Sequence, residues 1–79
     1  MNIAGSEYQL TRGSDAARDG MFLEAELLQG KERRVLAEVF YSDATDKFVV
    51  SCFEEKVPME LIEYLVAKAR QCLPPSSKP

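Results

Sequence analysis

Glu24, Glu26 and Glu38 are the residues of this chain whose type and spacing come nearest to chemistry. In extended backbone, positions two apart share a face, so Glu24 and Glu26 project together, and repulsion among carboxylates gathered on one face raises a pKa toward the range of a general acid. Catalysis would also need a nucleophile, a base or a cofactor loop beside them. The chain has no histidine, which removes the commonest general base and the commonest metal ligand together. Solvated strand positions account for the three glutamates equally well, and the expectation is a protein that is not an enzyme.

Other candidates are weaker. Asp43 and Asp46 in the stretch SDATD have carboxylates for a cation but lack the further oxygen ligands and central glycine of a calcium loop, so they read as turn residues, and no metal is expected. No GxGxxG and no GxxxxGK followed by Ser or Thr occurs, and no cofactor is expected. Cys52 and Cys72 lack the CxxC spacing of a redox pair, and a structural, buried role as thiols is expected for both. Lys31, Arg33 and Arg34, interrupted by Glu32, form a compact basic tip that could meet phosphate. With Phe22, Phe40 and Phe53 as stacking surfaces, that tip defines the alternative reading, a small nucleic-acid-binding module. A net charge of −3 opposes it.

The elements that must position these residues follow from periodicity. Met21, Leu23, Ala25 and Leu27 alternate with Phe22, Glu24, Glu26 and Leu28, the period of a strand. Gln29-Gly30-Lys31-Glu32 suits a hairpin, and Val35, Ala37, Val39 and Tyr41 continue one face of the next strand. Ser42 to Asp46 is a turn, followed by a strand from Lys47 to Phe53. Pairing Ser42 with Lys47 sets Tyr41 opposite Phe48, Val39 opposite Val50 and Ala37 opposite Cys52, which keeps the apolar side chains together. After Pro58, the residues Leu61, Ile62, Leu65, Val66, Ala69, Cys72 and Leu73 trace one helical stripe, ended by Pro74-Pro75.

The expected fold is therefore α+β, an antiparallel meander of three strands, four if Glu7–Thr11 adds a small edge strand, with one C-terminal amphipathic helix packed on one face. Residues 1–20, rich in Gly, Ser and Asp, are expected as a flexible or loosely packed leading segment, 21–73 as the single domain, and 74–79 as a disordered tail. The layout resembles that of several small bacterial proteins, antitoxin-like modules among them. The resemblance is one of layout and transfers no residue role.

With the helix on one face, the alternation turns Phe22, Leu28, Leu36, Phe40, Val49 and Phe53 to the other. Six such side chains would expose roughly 400–600 Å², at or above the largest apolar patch usual on a soluble monomer. The expectation is a homodimer or another protein partner on that sheet face, with the leading segment, through Ile3, Tyr8 and Leu10, as the competing cover. Phe40→Glu is expected to abolish assembly without unfolding the chain. Charged residues interrupt every apolar run, so no membrane span is expected, and the first residues carry no secretory pattern, which makes the cytoplasm the expected compartment.

Overall fold

The computed structural model describes residues 1–73. The expected tail at 74–79 lies outside the described residues. Five strands, β1 (Asn2–Ile3), β2 (Ser6–Asp15), β3 (Gly20–Gln29), β4 (Glu32–Ser42) and β5 (Lys47–Cys52), precede one helix, α1 (Met59–Cys72). The strands form one antiparallel meander in the order β1-β2-β3-β4-β5, curled into a half-barrel. The architecture is α+β as expected, with five strands rather than three or four. No described helix is long and apolar enough to cross a membrane.

The second hairpin of the expected domain keeps its register. Ser42 pairs with Lys47, Tyr41 with Phe48, Val39 with Val50 and Ala37 with Cys52. Gln29 and Glu32 close the preceding hairpin around Gly30-Lys31, with Gly30 at φ +59° in the first central position, where a side chain would be strained. The helix also follows its stripe. Leu61, Leu65, Ala69 and Leu73 are buried, and Ile62, Val66 and Cys72 pack beside them. Pro58 caps its start, accepting hydrogen bonds on its carbonyl from Leu61 and Ile62 N–H at 3.1 and 3.2 Å.

Residues 1–20, expected as a loose leading segment, supply two of the five strands. Tyr8 pairs with Leu27, Leu10 with Ala25 and Arg12 with Leu23, so Tyr8 and Leu10 extend the helix-side face and do not cover the reverse. A strand with so few large apolar residues is legible only against its neighbour, because nearly all of its ladder partners lie on β3.

Strand β4 also departs from the expected alternation. Ala25 pairs with Ala37 but Glu26 pairs with Val35, so Leu36 is an extra residue in a β-bulge. The bulge reverses the alternation. Leu36 and Ala37 both enter the helix-side core, Leu36 at 4% exposure, whereas Val35 moves to the reverse face and Arg34 to the helix side. Leu36 therefore leaves the set of expected interaction residues. Leu36→Ala should cost about 2–5 kcal/mol in urea unfolding, as for other buried leucines, whereas Val35→Ala should cost well under half as much. Equal costs would place the bulge elsewhere.

Helix α1 packs against β3 and β4. Toward β5 it meets Phe48 through Arg70 but leaves Val50 and Cys52, expected to face the helix in the core, on the helix side and exposed.

Candidate functional site

On the face away from α1, the row Thr11, Glu24, Glu38 and Ser51 runs across four strands beside the row Gly13, Phe22, Phe40 and Val49. Glu24 and Glu38 are direct cross-strand partners. Like charges directly opposite are destabilising, and Glu38 is also buried to 7% exposure. The compensation comes from a residue that spacing alone did not single out. Arg18, in the turn between β2 and β3, reaches back over β4 and donates from both terminal nitrogens to the two Glu38 carboxylate oxygens, each at 2.9 Å. This is the bidentate geometry in which arginine binds carboxylate most strongly.

The turn aims Arg18. The Asp15 carboxylate accepts the backbone N–H of Ala17 and Arg18, at 3.0 and 3.2 Å, and the Arg18 Nε–H at 2.6 Å. The Arg18 hydrogen bonds hold the Asp15 carboxyl below its ordinary pKa, and Glu38 followed by Asp15 pushes the Arg18 pKa up. The guanidinium carbon also lies 4.1 Å from the centre of the Phe40 ring. The readable signal was Asp15 three positions ahead of Arg18, an acceptor placed to bond the backbone two residues on.

This arrangement corrects the expected apolar patch at its centre. Phe40 is 8% exposed, roofed by Arg18 and lying over Gly20, and Phe22 packs over Gly13. Phe40 is part of the folded interior, so Phe40→Glu no longer separates assembly from folding. Phe22 and Leu28 are half-buried. Val49 and Phe53 remain in water, at 52% and 56% exposure.

Two expected outcomes follow from the charged row. Arg18→Ala should destabilise the protein by about 1–3 kcal/mol, because it leaves Glu38 buried without its fork; the solvent accessibility of Arg18 favours the lower half of that range. Denaturant unfolding of Arg18→Ala in wild-type and Glu38→Gln backgrounds measures it, and the loss should shrink in the second. Burial, then repulsion from Glu38 and Glu26, raises the Glu24 pKa. The folded chain then binds that proton more tightly than the unfolded chain, so stability falls as pH rises from the ordinary carboxylate value through the raised one. Glu24→Gln should be more stable than wild type at pH 7, and the gain should vanish under acid conditions. A difference constant with pH would show that charge is not its origin.

The basic tip is divided between the two faces of the sheet. Arg33 and Arg34 project from opposite faces, Arg33 donating to the Gln9 side chain at 3.4 Å and Arg34 pairing with Glu54 at 2.6 Å, while Lys31 is exposed in the loop. Asp46 bonds the Tyr41 hydroxyl, and Asp43 lines an open recess of about 270 Å³ with Ser14, Asp15 and Asp19. The carboxylate of Asp15 is already engaged there by Arg18.

Among the described residues, the exposed large apolar side chains are Met1, Met59 and Tyr64, which stand apart from the sheet's free edge, and Val49, Val50 and Phe53, which lie together on β5 and just beyond it. Val49 faces the reverse side, Val50 and Cys52 the helix side, and Phe53 follows, with no charged residue between Lys47 and Glu54. On the helix, Arg70 lies over the Phe48 ring at 5.6 Å. Ile62 and Val66 precede Arg70 at intervals of four, so they share the helix side turned toward β5. Val50 and Cys52 thus stand exposed on the helix side of the edge strand, with Ile62 and Val66 half-buried on the helix. Protein-family models, curated proteins and solved structures give no match to this chain.

Proposed function

We propose that the protein is a non-enzymatic interaction module that self-associates and acts by binding other macromolecules. The observation that carries this reading is that Val49, Val50 and Phe53 stand exposed together on one uncharged edge segment, while the remaining large apolar strand side chains are buried or half-buried. Of the six sheet-face positions expected from the alternation, Val49 and Phe53 are the open contacts, Phe22 and Leu28 flank them, and Leu36 and Phe40 serve the fold. Exposed edges of this composition are templates for association unless something covers them. The charge balance and the pairing of Arg33 and Arg34 with neighbours make this reading better supported than nucleic-acid binding.

Light scattering after size exclusion tests it on the intact chain, since residues 1–20 carry two strands. At about 100 μM the wild type should run at twice the 8.9 kDa monomer mass. Val49→Glu combined with Phe53→Glu should run as a folded monomer. A wild type that stays monomeric at that concentration refutes the proposal.

A further inference from the structure

The proposed self-association leaves open which surface of β5 makes the contact, and the backbone answers it. Phe53 N–H donates to the Leu36 carbonyl at 2.8 Å. Backbone groups alternate direction along a strand, so those of Ser51 and Val49 also point at β4, and those of Phe48, Val50 and Cys52 point outward. Three consecutive outward positions, each with a donor and an acceptor, therefore lie along the free edge of the sheet, next to side chains exposed on both faces.

We infer that the occupant of this edge is a second copy of the same strand, paired antiparallel about a two-fold axis through Val50. This inference rests on the self-association proposed above. Charge restricts where an identical partner can approach. Two copies of a chain of net charge −3 repel over most of their surface, and the stretch Phe48–Phe53 carries no charge. The opposite edge is unsuited, because Met1 and Tyr8 already bond each other there, the Tyr8 N–H donating to the Met1 carbonyl, and the rest of β2 carries Arg12 and Asp15.

The register is fixed by two conditions. A two-fold axis perpendicular to the sheet keeps helix side with helix side, so only residues of the same face can be opposite each other, and a slip by one is excluded. Among the remaining registers, centring on Val50 joins all three outward positions within β5: Phe48 to Cys52 of the second copy, Val50 to its counterpart, and Cys52 to Phe48. Centring on Val49 or Ser51 leaves Cys52 or Phe48 without a partner inside the strand. The pairing on Val50 makes a continuous ten-stranded sheet and extends the strip of Val50 and Cys52 between the two helices.

Cysteine crosslinking reads this geometry directly. Opposed residues that exchange hydrogen bonds across antiparallel strands have Cα atoms about 5.5 Å apart, within disulfide range. In a Cys52→Ser, Cys72→Ser background, Val50→Cys should form a covalent dimer under mild oxidation and Val49→Cys should form little. Efficient crosslinking through Val49 and not Val50 would overturn the register. Val50→Pro removes one outward N–H at an edge position that tolerates proline, so it should keep its circular dichroism and lose the dimer. A Val50→Pro dimer of wild-type affinity, or a wild-type dimer whose Val50→Cys form does not crosslink, would reject edge pairing and leave self-association standing. A wild type that is monomeric throughout would reject both.

Discussion

Val39→Glu is expected to leave no folded protein at pH 7, whereas Val50→Glu, its cross-strand neighbour on the same side of the sheet, is expected to fold and to run as a monomer. Val39 is 1% exposed beneath α1, and Val50 is 44% exposed past its edge. The first substitution loses about 1.5–3 kcal/mol of side-chain burial and adds several more for a carboxylate without a partner in the core. Their sum rivals the roughly 5–15 kcal/mol that holds a domain together, and a chain this short sits toward the lower end. The second substitution leaves its carboxylate in water and sets two of them against each other across the proposed two-fold axis. Far-UV circular dichroism with light scattering reads both. Unfolding by both variants would mean that α1 covers β5 after all, and tolerance of both would mean that it covers neither strand.

Gly20→Ala should be the most damaging conservative change in the sheet. A Cβ at Gly20 would collide with the backbone carbonyl oxygen of Tyr41 and would stand 2.5 Å from the Phe40 ring. Backbone in a ladder cannot step aside as a side chain does, so β3 and β4 would have to part where Gly20 pairs with Ser42. The expected cost is about 3 kcal/mol or more, at the upper end for overpacking, which corresponds to a fall in Tm of roughly 15 °C for a domain of this size. Gly13 provides the control. A Cβ there meets only the end of the Phe22 ring, which can swing into solvent, and the reduced freedom of the unfolded chain offsets part of the strain. Gly13→Ala should stay within about 1 kcal/mol of wild type. If the two substitutions cost the same, close backbone approach at Gly20 is not what selects glycine.

The contrast between these glycines bears on how the reverse face is built. Phe22 and Phe40 lie over glycines, and Arg18 closes over Phe40, so the aromatic surface expected to need a partner is largely covered by the chain itself. What stays uncovered is displaced to the edge strand. Assembly is therefore expected to depend on Val49, Val50 and Phe53 rather than on Phe40.

Local pattern by itself determined the two features whose partners are close in the chain. The Tyr41–Phe48 and Val39–Val50 pairs follow from one four-residue loop and the requirement that apolar side chains coincide, and the Leu61–Leu65–Ala69 stripe follows from the helical repeat. Only the tertiary structure decided the rest. The bulge at Leu36 inverts a strand's alternation while leaving its composition unchanged, Arg18 meets Glu38 across twenty residues of chain, and the placement of α1 over β3 and β4 is what exposes Val50. Periodicity records which side chains share a face. It carries no information on how far a covering helix extends or on a single residue inserted into the ladder, since both depend on packing between segments distant in sequence.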